Sequence, residues 1–285
     1  MTHLNIENSV DHWLDDAVFG AHLKNFERDG YVVFEKILSK DQITTIKSAL
    51  APYLGENITG RNEFEGRQSN RVYAMLAKSP VFSELVTHPL ALAFAEAELG
   101  QDCLLSACLA INLHSGETAQ PWHYDDAHCS LPRPRTSLGV STFWSISETT
   151  ATNGATEIIP GSHLWGDDRF AGALNDEDFD ASTRRDGDPG ARDDAIKVAM
   201  PAGSLMIAKG TLWHRGGANQ EKEPRLIITP QYCPGWMRQL ENMLLAVPTE
   251  IARTLPQRAQ ELIGYSICSP FMGYVDGRHP NRLLK

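Results

Sequence analysis

Residues 104–114 read LLSACLAINLH, and their alternation decides the fold class. The odd positions Leu105, Ala107, Leu109, Ile111 and Leu113 are all apolar, while the even positions include Ser106, Cys108, Asn112 and His114. A period of two marks a β-strand, whose successive side chains leave opposite faces. One face is greasy and the other small and partly polar, which predicts that the even face lines a cavity. Downstream, 119–125, 138–147, 155–159, 204–209 and 226–232 carry further strand patterns separated by Gly, Pro and Asn turns.

Upstream the pattern is helical. Leu14, Val18, Phe19, Leu23 and Phe26 share one helical face across 11–29, closed by Gly30. YVVF at 31–34 reads as a short strand, and Ser39 to Gln42 has the form of a capping box opening a helix through about Tyr53. Ser79-Pro80 has N-cap and N1 character, with LALAFAEAEL as a helix ending at Gly100. Beyond 235 the chain turns helical again, most clearly in TEIARTLPQRAQELIG. The predicted fold is mainly β with helices. It is one domain over 1–285: a helical part at 1–102, a jelly-roll core at 103–232 and a closing helical segment at 233–285.

The net charge is −10, and 167–194 alone, with ten acidic residues and four arginines, carries −6 of it. This segment reads as a long, charged, mobile insertion, placed to serve as a lid. No basic stripe exists, so nucleic acid is not an expected partner. No apolar run approaches the roughly 18 residues of a membrane span. Five scattered cysteines without a CxxC pair, and no signal-peptide pattern, predict reduced thiols in the cytoplasm.

The densest chemistry lies in QPWHYDDAHCS, 120–130. On a strand, His123 and Asp125 leave the same face, close enough to share one ion, and the pair suits Fe(II), Mn(II) or Zn(II). HxD occurs often by chance, so partners are needed. His214 ends the apolar strand in GSLMIAKGTLWHRGG, where side chains project into a barrel mouth; alone, it would read as a turn histidine. Arg225 follows eleven residues later, and an antiparallel return would carry it back beside the strand of His214. Its guanidinium is a bidentate clamp for a carboxylate, although the common fate of an arginine is a surface ion pair. Two histidines and one carboxylate leave iron with open positions for a 2-oxo acid and dioxygen. Asp126 points to the opposite strand face and reads as a hydrogen-bond acceptor. His128 reads as pocket rim or structure, and His163 in NGATEIIPGSH as a residue ordering a turn.

Together, FERDGYVVFEKILSKDQI, AQPWHYDD, FWSISETTATNGATEIIPGSH and AGSLMIAKGTLWHRGGAN…PR resemble the phytanoyl-CoA dioxygenase family from about residue 24 to 232. That resemblance implies an Fe(II)- and 2-oxoglutarate-dependent oxygenase on a double-stranded β-helix. It implies His123, Asp125 and His214 as the metal triad and Arg225 as the arginine for 2-oxoglutarate. By position it also implies Gln120 as a co-substrate contact, Trp144 as an aromatic lining the site, Thr156 in the 2-oxoglutarate pocket and Arg71 as an upstream basic contributor. The implied reaction uses Fe(II), 2-oxoglutarate and dioxygen to hydroxylate an unactivated C–H bond of a small, largely apolar metabolite or natural product. Asp125 argues against a halogenase; desaturation, epoxidation and cyclisation remain open. The alternatives are an acyl-CoA or lipid hydroxylase, a cupin metalloenzyme without 2-oxoglutarate, and a non-catalytic ligand-binding jelly roll. Arg225 and Gln120 argue against the cupin enzyme, and the complete triad against the binding module.

Overall fold

The computed structural model describes residues 3–7, 9–55, 60–167, 170–185, 187–188 and 190–285. Positions 168, 169, 186 and 189 of the acidic segment lie outside the described residues. The chain opens with α1 (Val10–Trp13) and α2 (Asp16–Asp29), two helices where the sequence predicts one. The break falls at Asp15, whose carboxylate accepts a hydrogen bond from the Val18 N–H and so caps α2. Gly30 ends α2 in the left-handed conformation (φ 83°), which glycine adopts without steric cost. Then follow β1 (Tyr31–Phe34) and α3 (Lys40–Leu50), the latter opened by the Ser39–Gln42 capping box.

The polar stretch Ser69–Val72 forms β2, an edge strand that the apolar pattern does not announce. Next come α4 (Met75–Lys78), α5 (Val81–Val86) and α6 (Pro89–Leu99). Pro80 precedes α5, while the PLALAFAEAEL helix is capped by the His88 ring, whose Nδ1 accepts from the Leu90 N–H. The β series is β3 (Leu104–Leu113), β4 (Val140–Ser145), β5 (Thr156–Ile158), β6 (Ile196–Lys197), β7 (Leu205–Lys209), β8 (His214–Gly216) and β9 (Arg225–Cys233). The closing helical stretch is split by Pro256: α7 (Met243–Ala246), α8 (Thr249–Ala252) and α9 (Gln257–Leu262) are all short.

Two antiparallel sheets face each other. The larger runs β1-β7-β4-β9-β3-β2 and the smaller β6-β5-β8. Every central strand of the large sheet is buried on both faces, which explains the near-continuous apolar runs. Val140, Trp144, Leu205, Ile207, Leu226, Ile228 and Tyr232 face the helical layer. Phe143, Met206, Ala208 and Ile227 face the small sheet, with Ile158, Val198, Met200 and Leu212. Inside the helical layer, Phe94 of α6 meets the rings of Phe19, Phe26 and Phe34 at 5.3–5.8 Å between centroids.

Three expectations are corrected here. On β3 the greasy odd face, through Leu109, Ile111 and Leu113, lines the cavity, while Cys108 and Ala110 on the even face pack under the helices. Small residues suit the side where helices approach closely, and a bulge between Leu105 and Ala107 breaks the alternation. Segment 119–125 is not a regular strand; it pairs only through isolated bridges at Trp122 and His123. Finally, β9 does not return beside β8. The two strands belong to different sheets, so the turn after His214 crosses from one layer to the other and Arg225 sits across the sandwich.

Truncating Phe94 to alanine is expected to cost about 3–5 kcal/mol in denaturant unfolding, the range for a large buried ring. A cost below about 1 kcal/mol would contradict a helical layer packed through this residue.

Candidate functional site

His123 and His214 are directly opposed: each backbone N–H donates to the other's carbonyl, at 3.0 and 2.8 Å. Antiparallel residues paired in this way project their side chains to the same side, and the ring centroids lie 4.5 Å apart. Each ring has its tautomer fixed. His123 Nδ1 lies 2.9 Å from the Pro121 carbonyl and His214 Nδ1 3.0 Å from the Leu212 carbonyl, so each Nδ1–H donates outward and each Nε2 lone pair faces inward. Asp125 Oδ1 stands 4.0 Å from His123 Nε2 and 3.6 Å from His214 Nε2, and all three donor atoms lie within 4.8 Å of one another.

The other Asp125 oxygen, Oδ2, accepts a hydrogen bond from the Ser141 hydroxyl on β4. The carboxylate therefore offers a single oxygen to the space between the histidines. Phe64 packs edge-on against His123 and Phe143 against His214. Burial, with the neighbouring His214 next in size, pushes the His123 imidazole down to about 4, which keeps it neutral and ready to ligate at neutral pH.

Arg225 lies at the far end of the same cavity. Its Nη2 donates to the Gly154 carbonyl at 2.5 Å, while Nε and Nη1 are buried without a partner. Among the described residues no carboxylate pairs with it. Burial, and then the positive charge of Arg71, lower the guanidinium to about 10. An arginine buried in this way, with two idle nitrogens, is costly unless an anion completes it. Gly154 has φ 92°, and a Cβ there would meet Leu113 at 2.2 Å, so the Arg225 acceptor depends on a glycine.

The cavity holds most of the sequence candidates. His123, Asp125, His214, Arg225, Arg71, Thr156 and Gln120 all line it. Arg71 is anchored by donating to the Glu65 and Phe64 carbonyls at 2.7 and 3.2 Å. The Gln120 amide bridges two parts of the wall, its Nε2 donating to the Phe64 carbonyl and its Oε1 accepting from Gly216 N–H at 2.9 Å. Trp144 is the exception. It points to the opposite face of β4, where its ring meets His88, and the aromatic facing the cavity is its neighbour Phe143. One step of strand parity separates the two.

Asp126 is buried and accepts from both Arg135 Nη atoms and from Leu138 N–H, each at 2.8 Å. His128 is exposed. His163 donates to the Glu27 carbonyl at 2.9 Å, tying its turn to α2. The acidic segment is packed where it is described. Arg185 pairs with Asp178, Arg215 with Asp188, and Phe179 stacks on Phe64 at the cavity wall. Sequence reasoning missed Phe64, Ser141 and Phe143. Parity from Ser141 to Phe143 on β4 was the available signal for two of them, whereas Phe64 lies in an irregular loop that carries no such signal.

The phytanoyl-CoA dioxygenase (PhyH) family profile matches residues 26–227. Dioxygenase af480 of Aspergillus fumigatus is 28% identical over 263 residues, covering 90% of this chain and 77% of its own length. Dioxygenase swnH2 of Arthroderma benhamiae is 26% identical over 287 residues, covering 92% and 86%. Among solved structures, the epimerase SnoN in complex with Fe3+, alpha ketoglutarate and nogalamycin RO superposes with a TM-score of 0.61 at 21% identity, covering 78% of this chain and 86% of that one. The likeness to SnoN is one of fold, the double-stranded β-helix.

Ser141→Ala is expected to weaken Mn(II) binding by about 10–100-fold in calorimetric titration, the usual cost of removing a partner that orients a ligand. Unchanged affinity would mean that Asp125 needs no such brace.

Proposed function

We propose that this chain, which belongs to the phytanoyl-CoA dioxygenase (PhyH) family, hydroxylates an unactivated C–H bond of a small, uncharged and largely apolar metabolite. It is a dioxygenase, and its family uses Fe(II), 2-oxoglutarate and dioxygen. With that set bound, iron, 2-oxoglutarate and dioxygen supply an oxidant strong enough to take such a hydrogen, leaving succinate and carbon dioxide as co-products.

The residues present fit the cofactors. Two imidazoles with inward Nε2 and one carboxylate oxygen form the donor set of a two-histidine, one-carboxylate iron site. In this reading His123, Asp125 and His214 hold Fe(II), and Ser141 keeps Asp125 bound through one oxygen. Arg225 receives the far carboxylate of 2-oxoglutarate; the observation that carries this is its pair of buried, partnerless nitrogens facing the cavity. Arg71 adds positive charge at that end, Thr156 offers a hydroxyl, and Gln120 supports the wall. Phe143 and Phe64 exclude water around the histidines.

The character of the remaining wall supports an uncharged substrate. Leu109, Ile111, Phe143 and Ile227 line it, and its two acids are already satisfied. Glu65 accepts from Arg61, and Glu117 from the N–H groups of Gln68 and Thr118 and the Ser69 hydroxyl. Among the described residues, the cations lining this cavity are Arg71 and Arg225 at the 2-oxoglutarate end, and none stands on the apolar wall for the phosphates of an acyl-CoA. In this reading the described part of the acidic segment, packed through Phe179 against Phe64, serves as a lid over this wall.

Arg225→Gln is expected to raise the dissociation constant for 2-oxoglutarate at least about 100-fold, as loss of a buried charge partner costs roughly 3–5 kcal/mol. Metal binding should stay within about twofold of wild type. Equilibrium dialysis on the Mn(II)-loaded protein reads both, and loss of metal with retained 2-oxoglutarate binding would reverse the assignment.

A further inference from the structure

A second arginine shares the unusual condition of Arg225 and lies outside the cavity described above. Arg133 is 7% exposed, and its Nη2 donates to the Ser162 and Thr211 carbonyls at 2.8 Å each. Its Nε and Nη1 are buried with no acceptor in hydrogen-bond geometry, and Tyr124 is the one side chain whose hydroxyl interacts with the guanidinium among the described residues. The guanidinium lies over the Tyr124 ring at 4.2 Å and near the Trp213 ring at 5.6 Å. Trp213 carries a third idle donor, its buried indole Nε1–H. Both residues line one pocket of about 110 Å³, floored by His123 and Tyr124 and roofed by Ala173 and Leu174.

Other arginines around the site are committed elsewhere: Arg135 to Asp126, and Arg215 to Glu157 and Asp188. Stacking on aromatic rings offsets part of the burial cost of Arg133 but uses the ring face, not the N–H groups. Two idle guanidinium nitrogens and one indole N–H call for an oxygen acceptor, and a negative one is favoured most. We propose that this pocket is a binding site for a carboxylate, held by Arg133 and Trp213 beside the segment that carries His123.

Size and charge narrow the ligand. One ordered water needs roughly 10–15 Å³ of such space, so the pocket has room for about seven to eleven waters, which admits a small molecule and no coenzyme. Asp167 stands at the rim, its carboxylate accepting from the Arg133 backbone N–H at 3.2 Å. A dianion such as phosphate is repelled by it more strongly than a monoanion, which would accept singly from Nε or Nη1, because both forks of the guanidinium use the Nη2 already given to Ser162 and Thr211. The roof is tied to the floor by hydrogen bonds of 2.8 Å, from Leu174 N–H to the Trp122 carbonyl and from Trp122 N–H to the Gly172 carbonyl. A carboxylate bound between them braces the acidic segment against the residue next to His123. The site exists independently of the oxygenase reading, and only its bracing role rests on it.

The probe is sodium acetate, titrated at constant ionic strength against sodium chloride into anaerobic protein loaded with Mn(II) and saturating 2-oxoglutarate, which occupies the Arg225 end. Tryptophan emission and calorimetry should show saturable millimolar binding, at least tenfold weaker in Arg133→Gln. Because Arg133 also holds two carbonyls, Ala173→Leu fills the pocket without touching it and should weaken acetate equally. Hexanoate separates the sources. Affinity that falls with chain length assigns a free small anion, and affinity that rises assigns the carboxylate arm of a larger molecule. Acetate binding no stronger than chloride, binding unchanged in both variants, or a preference for phosphate overturns the proposal. The same titration on metal-free protein should still show the site, so its failure is distinguishable from failure of the iron assignment.

Discussion

The reciprocal backbone hydrogen bonds between His123 and His214 are the constraint on which the rest of the site depends. They join a segment with little strand structure of its own to the end of β8 and fix the two imidazoles on one side. The outward Nδ1 bonds then leave no choice of tautomer, and both Nε2 atoms converge on Asp125 Oδ1. The large sheet provides the facing wall: Ser141 orients the carboxylate and Phe143 packs against His214. The helical layer behind that sheet keeps β4 and β9 flat against the cavity, so stability of the helices and geometry of the site are linked through two strands.

Charge is distributed with the same economy. The buried acids on the cavity wall are saturated by backbone N–H groups, a serine and an arginine, so they bring structure without presenting a free charge. Arg225 is the opposite case, buried and left incomplete by the protein itself. In the proposed reading, a cavity that is apolar in the middle, cationic at one end and able to hold a metal at the other would select a short dicarboxylate co-substrate and leave apolar space beside it. Arg133 repeats the incomplete-guanidinium theme on the outside of the small sheet.

Much of this was legible in the sequence, for reasons that also explain what was not. Strands announce themselves by period two, and β1, β3, β5, β7 and β9 fall within a residue or two of their patterns. His123, Asp125, His214 and Arg225 stood out because their spacing is specific when taken together, and the structure brings all four to one cavity. Which face of a strand looks inward was not legible, because the large sheet is buried on both sides and hydrophobicity no longer distinguishes them. That is why the even face of β3 was assigned to the cavity, whereas Trp144 was expected in the site from the family resemblance alone, one position away from the Phe143 that stands there. The layer change between β8 and β9 was equally silent, since a tight turn and a crossover use the same Gly-rich residues. Helix breaks at Asp15 and Pro256 did carry local signals that the longer apolar pattern obscured.

The most direct measurement is the visible absorption of the anaerobic protein on addition of Fe(II) and 2-oxoglutarate. A chelate of 2-oxoglutarate on iron held by His123, Asp125 and His214 gives a charge-transfer band, which should appear in wild type and vanish in His214→Ala. Absence of the band in folded wild-type protein, or its persistence unchanged in His214→Ala, would contradict the assignment of this cavity as an iron and 2-oxoglutarate site.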